Sequence, residues 1–303
     1  MYDIIIVGAG PCGLTAAVYA ARTMKKVLVL EKEGFGGQIV YSPGVENYPG
    51  VQGTIGGADL ASNLVDKAMQ FGAEVEFDDV LSVKKENGLF TVTGSSAEYT
   101  AKAVILATGV HHRKLGLESE ERLIGKGVSF CAICDGAFFK GKDVAVIGGG
   151  STALADALLL SDLASKVYLI HRRDTFRGEA HTVEKLRAKA NVEFVLDSVP
   201  EEFLGTTSLE GVVVKNKNGE VRTIPCSGVF VAIGQVPSND PFAALAELDD
   251  GGYLIANESC TTKTEGLFAA GDCRTKVVRQ LTTATADGTV AALAACDYID
   301  SLE

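Results

Sequence analysis

The sequence predicts an α/β chain of two Rossmann-like dinucleotide-binding domains, the second inserted into a discontinuous first. Three observations predict this arrangement. A strand, glycine turn, helix and second strand occur twice, in "YDIIIVGAGPCGLTAAVYAARTMKKVLVLEKE" and in "KDVAVIGGGSTALADALLLSDLASKVYLIHRR". Each copy is followed by a similar apolar run into glycine, "AVILATG" at 103–109 and "GVFVAIG" at 228–234. A third such run, "GLFAAGD" at 266–272, comes after the second copy, where the chain is expected to re-enter the first domain. This order gives an outer domain of residues 1–112 and 246–303 and an insert of residues 113–245.

Each element has a physical reason. The opening run "DIIIV" is β-branched throughout, as suits a strand buried on both faces. Gly8, Gly10 and Gly13 complete GxGxxG between that strand and an Ala-rich helix. Glycines there permit the tight turn and the close approach of a pyrophosphate, which sits on the helix N-terminus. Glu31, closing the second strand, is placed to accept a hydrogen bond from a ribose 2′-hydroxyl. In the second copy Gly148, Gly150 and Ala153 take the three glycine positions, and alanine is accepted at the third. At the offset of Glu31 stands His171, followed by Arg172, Arg173 and Arg177. An acid repels a 2′-phosphate, whereas guanidinium forks pair with one. The first turn is therefore predicted to take FAD or NAD and the second NADP(H). A solvated basic face is the alternative reading of the arginines.

Composition narrows the function classes. With 47% apolar and 22% charged residues, the chain of 303 residues reads as a soluble globular protein. A net charge of −11 argues against a nucleic-acid surface. No apolar run approaches the roughly 20 residues of a membrane helix. The first strand begins almost at Met1, so no leader is expected. The seven cysteines are scattered apart from one close pair, which fits a reducing, cytoplasmic setting. That pair is Cys131 and Cys134 in "SFCAICDGAFF". Zinc needs about four ligands, usually as two close pairs, and neither another pair nor suitably spaced histidines are present, so no metal is expected. A structural disulfide closing so small a loop adds little stability. A redox dithiol is the reading left.

The motifs carry a family resemblance. "GAGPCG", "GGQ" at 36–38, "ENYPG" at 46–50, "ATG" at 107–109, "CAICDG" at 131–136, "GGGSTA" at 148–153, "HRR" at 171–173, "FAAGD" at 268–272 and "RQLTTATADG" at 279–288 follow in order. Over essentially its full length the chain resembles the low-molecular-weight, bacterial-type thioredoxin reductases, FAD-dependent pyridine nucleotide-disulfide oxidoreductases. The resemblance implies that the outer domain binds FAD and that the insert binds NADPH and carries the redox pair. It implies that Gly8, Gly10, Gly13 and Glu31 hold the FAD pyrophosphate and ribose, with Gly36, Gly37, Gln38 and Asn47 lying against the cofactor. Asp272 would bond the ribityl chain, with Arg279, Gln280 and Leu281 near the isoalloxazine ring. Gly148, Gly150, Ser151, Thr152, His171, Arg172, Arg173 and Arg177 would hold NADPH.

By the same resemblance Cys134 faces the flavin, Cys131 attacks the partner and Asp135 exchanges a proton with the leaving thiolate. Asp135 as a plain helix cap is the bland alternative. The implied partner is a thioredoxin or thioredoxin-like protein, and the implied assembly a homodimer. Because NADPH and the disulfide need the same flavin face, the insert is expected to rotate on segments near 110–115 and 240–247. Cys12 and Ser151 depart from the family's usual alanine and asparagine. A ferredoxin-dependent branch lacks the basic cluster, so "HRR" and Arg177 argue against it. The rivals are a same-fold reductase using ferredoxin or serving a peroxiredoxin-type partner, and a non-catalytic nicotinamide redox sensor.

Overall fold

A computed structural model describes residues 1–302, which divide into two compact units. Unit 1 comprises Met1–Ser42, Tyr48–His111 and the chain from Val236 on; unit 2 comprises Pro43–Asn47 and His112–Gln235.

In unit 1 the chain forms β1 (Tyr2–Val7), α1 (Pro11–Arg22), β2 (Val27–Glu31), α2 (Gly57–Gln70), β3 (Glu74–Phe77), β4 (Val80–Glu86), β5 (Leu89–Gly94) and β6 (Glu98–Leu106). The sheet order is β3-β2-β1-β6-β5-β4. The first four strands are parallel, while β5 pairs antiparallel with both β4 and the opening half of β6. β6 thus pairs with β1 along one edge and, over its opening half, with β5 along the other.

The chain passes out through β7 (His111–His112) and back through β16 (Gln235–Val236), and these two short strands pair. Between them lie α3 (Glu118–Leu123), β8 (Val128–Ser129), α4 (Ala132–Asp135), β9 (Asp143–Ile147), α5 (Ser151–Leu163), β10 (Lys166–Ile170), α6 (Ala180–Arg187) and β11 (Val192–Val195). Next come β12 (Ser198–Leu204), β13 (Gly211–Asn216), β14 (Val221–Pro225) and β15 (Gly228–Val231). β11-β10-β9-β15-β8 form a parallel sheet, and β12-β13-β14 an antiparallel one of their own.

Back in unit 1, β17 (Leu267–Ala269) pairs parallel with the closing half of β6, and α7 (Leu281–Asp300) ends the fold. The sequence reading ended the insert at residue 245. In the structure Phe242 and Ala246 are already buried in the core of unit 1 with Leu28, Leu30 and Phe90.

The continuous apolar runs explain the layering. Along β1, Ile4 and Ile6 face a cluster built on α1 and α7, while Ile5 and Val7 face the cluster on the other side of the sheet. β9 repeats this, with Val144 and Val146 on one face and Ala145 and Ile147 on the other. α1 and α7 meet through alanines, among them Ala16, Ala17, Ala20, Ala291, Ala292 and Ala295. The contact is so close that a Cβ at Gly288 would lie 2.2 Å from the Cys12 carbonyl oxygen. Among the described residues no helix is long and apolar enough to cross a membrane.

Candidate active site

At the end of β1 the chain turns through Gly8, whose φ is +108° and where a Cβ would lie 2.4 Å from the Ala107 carbonyl oxygen. A Cβ at Gly13 would lie 1.9 Å from the Gly8 carbonyl oxygen, so α1 packs on the turn only without one. Gly10 has nothing within 4 Å of its Cβ position, which leaves the backbone before α1 approachable. The Glu31 carboxylate braces the turn by accepting the Ala9 N–H at 2.8 Å, and its other oxygen accepts the Lys32 and Glu33 N–H groups. Beside it opens a cleft of about 280 Å³, lined by Gly8, Glu31, Asp79, Thr108, His111 and Phe242 among others. It lies at the carboxyl ends of β1, β2 and β6, where open α/β sheets bind ligands.

The "GGQ" loop meets this turn directly. A Cβ at Gly37, itself at φ +58°, would be 3.2 Å from the Gly10 Cα. The Gln38 side-chain amide donates to the Val110 carbonyl. Asn47 falls in the short Pro43–Asn47 segment that groups with unit 2.

β17 leads into Gly271 and Asp272. Asp272 is half-buried, its buried Oδ1 has no hydrogen-bond partner, and desolvation pushes its carboxyl up against the pull of Lys276 and Arg279. A buried acceptor left open in this way fits a sugar-alcohol hydroxyl. The loop that carries it is held from α7: Asp287 accepts Gly271 N–H at 3.0 Å, Arg274 Nε and Nη2 at 2.7 and 3.0 Å, and Lys276 Nζ at 2.9 Å. Burial opposes the charge on Asp287, but these cations hold its carboxyl below the usual range. Arg279 donates to the carbonyls of Asp272, Arg274 and Lys276, and its guanidinium lies 4.1 Å from the Tyr253 ring centre. Gln280 is the N-cap of α7 in a reciprocal capping box with Thr283, and Leu281 is the first helical residue.

The second turn repeats the first with other partners. Gly148, at φ +154°, would place a Cβ 2.4 Å from the Ala232 carbonyl oxygen, and Gly150 is again open. Ser151 and Thr152, the first residues of α5, are exposed. The His171 ring lies against the turn itself, since a Cβ at Gly149 would meet its Cε1 at 2.1 Å. His171 is buried, its Nε2 lies 3.1 Å from the Thr175 carbonyl oxygen, and its ring stacks on Phe176. Burial, with Arg172, Arg173 and Arg177 nearby, pushes its pKa down against the Thr175 contact. Arg172, Arg173 and Arg177 are exposed, and among the described residues none forms a salt bridge. The sequence assigned His171 and the arginines alike to the nucleotide; the structure puts the histidine under the turn and leaves the arginines open.

Cys131 and Cys134 form a disulfide. Cys131 is the N-cap of α4 and its Sγ accepts the Cys134 N–H at 3.2 Å. Both are half-buried, and Ile133 between them is 64% exposed. Asp135 is buried. Its Oδ2 accepts the Ser129 hydroxyl at 2.6 Å, and its Oδ1 has no partner. Burial raises its pKa and Ser129 pulls the other way. The other five cysteines are buried free thiols. Burial pushes Cys12 and Cys273 up, and Cys226 and Cys260 to about 12. Burial raises the pKa of Cys296 as well, so all five free thiols are disfavoured as thiolates. Among the described residues no cluster of His, Cys, Asp and Glu could hold a metal ion.

Sequence reasoning missed Gly149, Ser129, Arg274, Asp287 and Asn239. Asn239 accepts the Thr108 hydroxyl and donates to the Gly252 and Cys273 carbonyls, tying three loops together. Only Gly149 carried a visible signal, as the middle glycine of "GGG".

Two glycine turns and one redox-capable cysteine pair define an oxidoreductase that works between nucleotide cofactors and a disulfide. The sequence pattern of the pyridine nucleotide-disulphide oxidoreductase family matches residues 2–288, and the chain belongs to that family. Over its whole length it is 43% identical to a thioredoxin reductase of Treponema pallidum, covering 98% of that protein. The crystal structure of thioredoxin reductase from Streptococcus pyogenes matches it with a TM-score of 0.95 at 38% identity, over 99% of both chains. Lactococcus lactis thioredoxin reductase in its FR conformation matches with a TM-score of 0.69 at 37% identity, over 99% of this chain and 100% of that one. The cofactors of the family are FAD and NADPH.

Proposed function

We propose that this enzyme uses NADPH to reduce the disulfide of a thioredoxin-like protein, by way of FAD bound to unit 1 and the Cys131–Cys134 pair of unit 2. The observation that carries the reading is the composition of the disulfide site. Among the described residues, the only half-buried cysteines form a disulfide next to a buried carboxyl with one open oxygen.

The residues present fit both cofactors. Gly8, Gly10, Gly13 and Glu31 would hold the FAD pyrophosphate and ribose, with Gly37 and Gln38 alongside. Asp272 Oδ1 supplies an acceptor that nothing in the protein uses. Arg172, Arg173 and Arg177 would take the 2′-phosphate of NADPH at the turn formed by Gly148, Gly150, Ser151 and Thr152. Bound FAD supplies the two-electron chemistry that links a nicotinamide to a dithiol.

The chain's own part begins with the reduced pair. The Cys134 N–H, which donates to Cys131 Sγ in the disulfide form, is placed to stabilise a thiolate there once the pair is reduced. Cys131 Sγ attacks one sulfur of the partner's disulfide, forming a mixed disulfide and releasing one partner thiolate. Cys134 Sγ then attacks Cys131 Sγ, which restores the intramolecular disulfide and releases the partner's second thiolate. Asp135 holds the proton exchanged with Cys134 at its unpaired Oδ1. Exposed Ile133 gives the partner an apolar contact between the two sulfurs.

Alternation between the cofactor and the partner requires the insert to turn on its two connecting passes. The relatives support this reading: two structures of nearly equal identity match over full length with TM-scores of 0.95 and 0.69, a spread that whole-domain rearrangement produces. A homodimer in the cytoplasm completes the proposal, the five free thiols fitting a reducing compartment.

Anaerobic titration of the holoenzyme with NADPH, followed by oxidised thioredoxin, tests the whole path. Flavin absorbance should fall with NADPH and recover as thioredoxin disulfide is consumed. A flavin that stays oxidised under NADPH would remove the nicotinamide donor from the scheme.

A further inference from the structure

The hydrogen bonds around the cysteine pair form a continuous path that involves one residue with no role so far. Ser129, at the end of β8, is buried. Its Oγ accepts the Cys131 N–H at 3.1 Å, and its hydroxyl donates to Asp135 Oδ2 at 2.6 Å. The Cys134 N–H reaches back to Cys131 Sγ at 3.2 Å. One hydroxyl therefore links the backbone of the attacking cysteine to the carboxyl beside the other cysteine.

We propose that Ser129 is a positioning residue for the disulfide step. By committing Asp135 Oδ2 it leaves Oδ1 as the single oxygen free to carry the exchanged proton, and it sets the pH at which that proton moves. The inference rests on the reading of Asp135 as the proton carrier.

The geometry supports this over a packing role. A carboxyl buried beside an apolar helix normally has both oxygens hydrogen-bonded, and here one is satisfied by Ser129 and the other by nothing. The Cys131 amide engages one lone pair of the hydroxyl, and the hydroxyl's proton is donated to the carboxyl. No other group competes. The 3₁₀ turn Gly136–Phe139 that packs on α4 has no ionisable side chain, and α5 carries Asp156 and Asp162. Neither hydrogen-bonds Asp135, whose pKa burial raises and the Ser129 hydroxyl lowers. Removing the hydroxyl leaves burial unopposed, so the pKa of Asp135 rises further.

The test compares Ser129→Ala, Ser129→Thr and Asp135→Asn with the wild-type holoenzyme. Two quantities are read: the pH profile of kcat/KM for thioredoxin reduction, and the titration of the Asp135 carboxyl by NMR in protein labelled with ¹³C-aspartate. The Asp135→Asn variant assigns the signal. Loss of a hydrogen bond to a charged group should move the Asp135 inflection up by about one to two pH units in Ser129→Ala. Ser129→Thr, which keeps the hydroxyl, should hold the wild-type value. Ser129→Gly serves in place of the alanine variant if that variant folds poorly. An inflection that disappears in Asp135→Asn but stays put in Ser129→Ala overturns the role of Ser129 alone. An inflection that survives in Asp135→Asn overturns the proton-carrier reading beneath it.

Discussion

At the first glycine turn the residue closing the second strand, Glu31, accepts the Ala9 N–H; at the second, its counterpart His171 lays its ring against Gly149. Both side chains brace the middle residue of their turn. They differ in the charge they leave at the ribose edge. Glu31 places an acidic side chain there, whereas burial and three guanidinium groups lower the pKa of His171. Positive charge at the second site therefore resides on Arg172, Arg173 and Arg177, and the histidine serves as a wedge. On the proposed reading, the same backbone plan would tell one nucleotide from another by exchanging a brace and adding three exposed cations. The third glycine position differs for a related reason. In the first turn a Cβ at Gly13 would lie 1.9 Å from backbone, while the second turn accepts Ala153 and buries it.

The comparison can be broken most sharply at the arginines. Replacing Arg172 and Arg173 with Ala should lower the preference for NADPH over NADH by about 10–1,000-fold, as one or two charge-assisted contacts are lost. The ratio of the two kcat/KM values reads this directly, and an unchanged ratio would return the cluster to a solvated face. A smaller effect is expected at Gly13. Gly13→Ala forces α1 away from Gly8, a strain of about 1–3 kcal/mol, and the purified protein should carry less FAD. Full flavin content in that variant would contradict the close approach. Ala153→Gly should cost only about 1 kcal/mol, chiefly in helix propensity, with NADPH affinity retained. Urea unfolding separates the Gly13 and Ala153 cases, since both changes are of one methyl group and only one of them meets backbone.

Much of this was legible in the sequence because dinucleotide turns are local. Gly8, Gly10, Gly13 and Glu31 lie within one strand–helix–strand unit, and so do Gly148, Gly150 and His171. Buried strands such as β1 and β9 read as continuous β-branched runs for the same reason. What the sequence hid depends on contacts between distant segments. Asp287 meets Arg274 and Lys276 only because α7 folds back over the loop after β17, and nothing in "TADG" announces an ion-pair hub. Removing the Asp287 carboxylate takes away the ion-pair partner of Lys276 and leaves Arg274 with only the exposed Glu258 at 4.0 Å, a loss of the kind that typically costs about 3–5 kcal/mol. Asn239 is similar: its partners Thr108, Gly252 and Cys273 are brought together by the fold alone. His171 illustrates a different limit. Its offset from Gly148 matches that of Glu31 from Gly8, but the offset does not tell that the ring lies against Gly149.

The central claim is that electrons reach a partner's disulfide only through Cys131 and Cys134. The most direct measurement is made on Cys134→Ser holoenzyme, mixed anaerobically with NADPH and then with oxidised thioredoxin. Flavin absorbance should fall as in the wild type, and no thioredoxin thiols should appear. Continued thioredoxin reduction by this variant would contradict the claim and require a route that bypasses the pair.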